Sequence, residues 1–147
     1  MVHTYSSVKK HGLIPGTSDI ANFGGYSGSH VAHEHYIIKI PSTMDLSRTA
    51  PILCAGVTMY SPLVHWGATT KKNMHIGIIG IGGLGTMGIK LAKAFGHTVY
   101  AISTSANKKD AAIKKGADFF ILSSDAKEMA TYTNKMDLIL NTISAEH

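Results

Sequence analysis

The stretch His75-Ile76-Gly77-Ile78-Ile79-Gly80-Ile81-Gly82-Gly83-Leu84-Gly85 decides the fold. His75–Gly80 is apolar and β-branched, the composition of a strand buried on both faces of a parallel sheet. Lys71, Lys72 and Asn73 bound it on the polar side. Gly80, Gly82 and Gly85 then spell G-x-G-x-x-G at the point where strand gives way to helix. The first glycine permits the tight turn, the second lets backbone approach a pyrophosphate, and the third lets helix pack close to strand. Gly80, Gly82, Gly83, Leu84 and Gly85 are the candidate phosphate cradle. The following helix start offers free N–H groups and the positive end of a dipole.

Apolar or small residues recur at Leu84, Met87, Gly88, Leu91, Ala92 and Phe95, the stripe of an amphipathic helix, with Lys90 and Lys93 off it. Gly96 stands where a helix stop belongs. Thr98–Ile102 reads as a second strand, which closes a βαβ unit. The residues after that strand bear on the cofactor. A site for NAD carries Asp or Glu there, to accept from the ribose hydroxyls. Here the chain reads Ser103-Thr104-Ser105-Ala106-Asn107-Lys108-Lys109. No carboxylate repels a 2′-phosphate, and two hydroxyls and a lysine of this stretch are available to bind one, the lysine as a point-charge donor. NADP(H) is therefore favoured over NAD(H). A blander reading stays open beside it: Ser105 caps the next helix and the lysines form a solvated face.

Strand and helix keep alternating downstream. The pattern predicts a helix over Ala106–Lys115 stopped by Gly116, a strand over Asp118–Leu122, a helix over Ala126–Tyr132 and a fourth strand over Asp137–Asn141. A full doubly wound fold has strand order 3-2-1-4-5-6. Four strands fit before His147, so the expectation is a partial doubly wound (Rossmann) parallel sheet in order 3-2-1-4 with an uncovered apolar edge. The chain then reads as a piece of a larger enzyme or as a remnant that depends on a partner. Upstream, Gly12, Pro15, Gly16, Gly24, Gly25 and Gly28 punctuate short segments, and His30–Ile40 reads as strands and turns ending at Pro41. Leu46–Leu63 is expected to be helical, with Pro51 and Pro62 at turn positions.

Composition narrows the class. The chain has 147 residues, the length of one ordinary domain, and its 44% apolar content excludes disorder and low complexity. No apolar run approaches a membrane span and no signal-like stretch opens the sequence, so the expectation is a cytoplasmic protein with no membrane partner. One cysteine excludes an internal disulfide framework. The formal charge is +5, but the lysine pairs 9–10, 71–72, 108–109 and 114–115 are scattered over different elements with few aromatics between them. A nucleic-acid groove concentrates its charge and its rings on one face, so no nucleic-acid partner is expected.

Leu53-Cys54-Ala55-Gly56-Val57-Thr58-Met59-Tyr60-Ser61-Pro62-Leu63, taken with Gly80–Lys90, resembles the zinc-dependent medium-chain alcohol dehydrogenases. The branch it looks like is that of the cinnamyl alcohol dehydrogenases and their NADP-dependent aldehyde reductase relatives. Gly24-Gly25-Tyr26, Ile40-Pro41 and Lys115-Gly116-Ala117-Asp118 fit the same branch, and the resemblance runs from about Tyr5 to His147. It implies that residues 1–65 are the trailing part of a GroES-like, β-rich catalytic domain and residues 66–147 a partial NADP-binding Rossmann domain. It implies a homodimer in the intact family and a small-molecule alcohol or aldehyde as substrate. It matches Cys54 to one ligand of a catalytic zinc, Thr58 to a threonine that approaches the nicotinamide, and Ser103, Thr104 and Lys108 to residues that hold the 2′-phosphate. Thr86 departs from the histidine common at its position and can still bond a phosphate through its hydroxyl. The family's first catalytic cysteine, its Gly-His-Glu segment, its proton relay and its four-cysteine zinc lobe have no counterpart in this sequence, so no catalytic residue is assigned. Read without the resemblance, Cys54 is a small buried hydrophobe.

His30, His33 and His35, with Glu34, mimic a metal cluster, and on a strand His33 and His35 would share one face. The spacing is not that of H-E-x-x-H, and a surface or core role is expected for them, as for His65 and His75. Three functional readings follow. The first is an NADP-dependent alcohol dehydrogenase or aldehyde reductase that passes hydride between nicotinamide and a primary alcohol or aldehyde, with zinc in the intact enzyme. The second is a non-catalytic dinucleotide-binding remnant that associates with another chain. The third is a methyltransferase-like glycine loop for a nucleoside cofactor.

Overall fold

A computed structural model describes residues 28–29 and 33–144 of the chain. The chain divides into two compact units, Met1–Pro41 and Ser42–His147. The motif Gly24-Gly25-Tyr26 and His30 lie outside the described residues.

In the first unit the described residues hold a single 3-10 turn, Glu34–Tyr36, where the sequence suggested strand. His33 caps it, its Nδ1 accepting from the N–H of His35 at 3.2 Å, and the rings of His35 and Tyr36 meet edge to face. The turn takes these residues out of the two-residue strand period. His33 and His35 therefore do not share a strand face, and a local cap replaces the expected ladder.

The second unit holds a four-stranded parallel sheet with helices between its strands. In chain order its elements are α1 (Leu46–Thr49), a 3-10 turn (Ala50–Leu53), α2 (Ala55–His65), β1 (His75–Ile79), α3 (Gly83–Ala94), β2 (Thr98–Ser103), a 3-10 turn (Ala106–Lys108), α4 (Lys109–Lys114), β3 (Phe119–Leu122), α5 (Ala126–Thr131) and β4 (Leu138–Asn141). The strand order is β3-β2-β1-β4, the order the sequence predicts. β1 lies at the centre, with Ile79 opposite Ile102 on one side and Asn141 on the other. The C-terminal ends of β1, β2 and β4 thus meet beside the glycine turn.

The core explains the strand composition. Ile76, Ile78, Val99, Ala101 and Ile121 are completely buried, since helices or loops cover the sheet where they point. Helix α3 packs the expected stripe on the core, with its Gly88 and Ala92 side shifted deepest and extended by Gly85 and Ile89. Its buried line is Gly85, Gly88, Ile89 and Ala92, while Leu84, Met87, Leu91 and Phe95 flank it half-buried. The glycines cause the shift: with no Cβ at 85 and 88, the helix backbone itself settles onto β1 and α2, and Met59 of α2 fills the space a side chain at Gly88 would need.

Helix α2 packs on this unit through Met59 and Leu63. Pro62 lies inside it, not at a turn. The proline leaves the Thr58 carbonyl without its helical N–H, but the burial of Met59 and Leu63 on either side outweighs one lost bond in the last turn. Pro51 does open a 3-10 turn, as expected. No helix among the described residues is long and apolar enough to cross a membrane.

Candidate functional site

The site is built on the bend between β1 and α3. Gly80 has φ +88°, a conformation that glycine adopts without penalty. Its N–H donates to the Ile102 carbonyl at 3.0 Å, so β2 holds one side of the bend. A side chain at Gly85 would collide with the carbonyl oxygen of Gly80, whereas Cβ atoms at Gly82 and Gly83 would meet nothing within 4 Å. The third glycine is therefore demanded by packing, and the middle two line open space over the turn. Gly82 caps α3 and supplies no side-chain hydrogen bond, while its carbonyl accepts from Thr86 N–H at 2.9 Å. The first N–H groups of α3 are left to a ligand or to water. Leu84 turns its side chain against the core, so it can serve a ligand through its backbone alone. A cradle of this shape, with open space over Gly82 and Gly83 and uncapped N–H groups, fits a pyrophosphate.

The residues proposed to read the ribose sit one strand away. Ser103 ends β2 and is buried, its Oγ accepting from Ser105 N–H at 3.2 Å. Thr104 and Lys108 are exposed. Ser105 makes no side-chain cap to the turn it precedes, so the blander reading of Ser105 as a helix cap is not realised. The Lys108 ammonium has no ion-pair partner among the described residues, and no carboxylate ends β2. Thr86 faces away from the expected task in part: its Oγ1 accepts from Lys115 Nζ at 3.1 Å.

Cys54 and Thr58 sit four residues apart at the start of α2, one turn from each other on the same face, and both are exposed. Cys54 is thus not the buried hydrophobe that composition alone suggests. Its thiol is a single donor. Among the described residues no three His, Cys, Asp or Glu side chains converge on a point that could hold a metal ion. A tetrahedral zinc needs three or four such donors. The described residues do not fit zinc, and no chemical step is derived through it. His65 stacks edge to face on Trp66, and His75 shares a 2.8 Å hydrogen bond between its Nδ1 and the Tyr100 hydroxyl.

Three residues that sequence reading passes over support this arrangement. Thr142, just past β4, donates through its hydroxyl to the carbonyls of Ile79 and Gly80. His97 is buried before β2, its Nδ1 accepting from Met74 N–H at 3.2 Å and its Nε2 lying 2.6 Å from the Ala68 carbonyl. It thereby ties the connection from α2 into β1 to the far end of α3. Asp118 accepts from Val99 N–H at 2.8 Å and from Lys93 Nζ at 2.5 Å. Only the last had a sequence signal, in the run Lys115-Gly116-Ala117-Asp118. The partners of the other two lie 23 or more residues away.

A parallel sheet in this order, with a glycine turn opening the helix after its central strand, defines an α/β protein of the Rossmann type. Comparison with known proteins narrows the class. Residues 83–147 match the model of the zinc-binding dehydrogenases. The whole chain is 45% identical to a probable mannitol dehydrogenase of Mesembryanthemum crystallinum, and 99% of it is 43% identical to a probable cinnamyl alcohol dehydrogenase of Oryza sativa. The chain spans about two fifths of the length of these relatives, 39% in both cases. Among solved structures, a cinnamyl alcohol dehydrogenase of Sorghum bicolor superposes with a TM-score of 0.71 at 45% identity, over 75% of this chain and 31% of that one. The CAD of Helicobacter pylori, solved in complex with NADP(H), superposes with a TM-score of 0.67 at 34% identity, over 78% and 31%. Residues 83–147 thus carry the zinc-binding dehydrogenase domain, and over its whole length the chain is similar to mannitol and cinnamyl alcohol dehydrogenases.

Proposed function

We propose that this chain is the nucleotide-binding portion of an NADP-dependent alcohol dehydrogenase or aldehyde reductase, with residues 1–65 the trailing part of its catalytic domain and residues 66–147 its Rossmann part. The observation that carries the reading is the cradle at Gly80–Gly85, shaped by packing at Gly85 and open at Gly82 and Gly83. The relatives named as alcohol dehydrogenases and the neighbour solved with NADP(H) support it.

The bound nicotinamide would supply the hydride acceptor or donor for an alcohol or aldehyde carbon. This chain's part is to bind and orient. The N–H groups opening α3 take the pyrophosphate. Ser103, Thr104 and Lys108 take the 2′-phosphate, with the Lys108 ammonium supplying a charge-assisted bond. Thr58, exposed on α2, stands as the residue toward the nicotinamide.

One observation favours the alternative of a non-catalytic dinucleotide-binding module that joins another chain: β4 is a sheet edge with Ile139 about half exposed. The two readings part on activity. Titration of the 147-residue chain with NADPH and NADH, followed by nucleotide fluorescence, tests the shared core: NADPH is expected to bind more tightly. Binding of S-adenosylmethionine with neither nucleotide bound would overturn it. Turnover of a primary alcohol with zinc supplied decides for the enzyme, and a stable complex of the nucleotide-bound chain with a separate, non-dehydrogenase chain decides for the module.

A further inference from the structure

We infer that Thr142 is a positioning residue of the phosphate cradle: its hydroxyl holds the Gly80 carbonyl and so sets the direction of the Ile81 N–H within the turn. The inference rests on the dinucleotide reading above.

Glycine at φ +88° tolerates several orientations of the peptide that follows it, so something outside the bend must choose one. Thr142 is placed to do so. Its N–H donates to the Ile79 carbonyl at 3.0 Å, which extends the β1–β4 ladder one step past the pair Ile79–Asn141. Its Oγ1 then lies 2.8 Å from the Ile79 carbonyl and 3.0 Å from the Gly80 carbonyl, a shared donor to both. The end of β4 is itself fixed, since Asn141 Oδ1 accepts from Ile143 N–H at 3.0 Å.

The Gly80–Ile81 peptide is planar and trans, so its C=O and the Ile81 N–H point in opposite directions. Holding the carbonyl therefore aims the N–H. The same carbonyl oxygen is the atom against which Gly85 packs, so one hydroxyl fixes both the bend and the seat of α3. Thr142 touches no ligand in this account. It acts through the Gly80–Ile81 peptide, whose N–H we assign to the phosphate cradle.

The test uses the full chain with Thr142→Val, which keeps the side chain's bulk and removes its donor, and Thr142→Ser, which keeps the donor. NADPH affinity, thermal midpoint and hydrogen exchange at the Ile81 amide are measured for each. Thr142→Val is expected to weaken NADPH by roughly tenfold and to speed exchange at Ile81, while Thr142→Ser stays within about threefold of the unmodified chain. A merely structural role would lower the thermal midpoint of Thr142→Val and leave the affinity of the folded protein unchanged. That result, or equal losses for Val and Ser, overturns the proposal while the dinucleotide reading stands. If the unmodified chain binds neither NADPH nor NADH, the dinucleotide reading falls and the role of Thr142 falls with it. Should Thr142→Val fail to fold, Thr142→Ala takes its place with the same expectations.

Discussion

The carbonyl oxygen of Gly80 occupies the space that a Cβ on Gly85 would need, and that oxygen belongs to backbone that cannot step aside. Gly82 and Gly83 face no such obstacle, which separates two reasons for glycine within six residues. Gly85→Ala is expected to destabilise the fold by about 3 kcal/mol or more, read as a loss in the urea midpoint. Gly82→Ala, with an ordinary extended backbone and open space around it, is expected to change stability by no more than about 0.5 kcal/mol while weakening NADPH at least roughly tenfold. If Gly82→Ala binds NADPH as well as the unmodified chain, the open space is not where the phosphates lie.

Lys108 is exposed, has no ion-pair partner among the described residues, and follows the hydroxyl residues that end β2. Lys108→Ala is expected to weaken NADPH by about 1.5–3 kcal/mol, the scale of a charged hydrogen bond, and to leave NADH almost unchanged. Calorimetry with each nucleotide measures the difference. Equal losses would remove Lys108 from the 2′-phosphate.

His97 satisfies two buried backbone groups, the Met74 N–H and the Ala68 carbonyl. Accepting at one nitrogen and donating at the other requires the neutral ring with its proton on Nε2. His97→Ala leaves both groups unpaired and opens a cavity, and is expected to lower stability by about 3 kcal/mol. His97→Gln, which can donate and accept, should recover part of it. Chemical denaturation of the two variants decides, and a neutral His97→Ala would mean the clamp contributes nothing.

Burial pushes the Asp118 carboxyl up, but the hydrogen bond from Lys93 and the N–H of Val99 override it and hold it below the ordinary carboxylate value. A group with a lowered folded pKa contributes stability that is present above its unfolded value and lost as pH falls through the folded one. The advantage of the unmodified chain over Asp118→Asn is therefore expected to be about 1 kcal/mol at neutral pH, discounted for the partly exposed pair, and to shrink as pH falls below about 4. An advantage that does not change between neutral and strongly acid pH would show that the charge of Asp118 plays no part.

The strands, the glycine turn and the order of the sheet were legible in the sequence because each is a local property. The run His75–Ile79 carries its own burial pattern, Gly96 and Gly116 stop their helices at φ +86° and +112°, and a right-handed βαβ rule turns the element order into β3-β2-β1-β4. The misreadings were also local. A 3-10 turn at Glu34–Tyr36 looks like alternating strand, and Pro62 looks like a helix end until the packing of Met59 and Leu63 is known. The apolar stripe of α3 was legible too; only the packing shows that its glycine side, at Gly85 and Gly88, lies deepest, because the lack of a side chain brings the backbone closest.

The sequence by itself determined the repeating unit and the place of the bend, since spacing, β-branching and glycine act on neighbouring residues. Only the tertiary structure decided what holds the bend in its working shape. Thr142 reaches Gly80 across 62 positions, and His97 reaches Ala68 across 29. Hydrogen bonds of that span carry no signature along the chain, because their geometry exists only once the strands have paired.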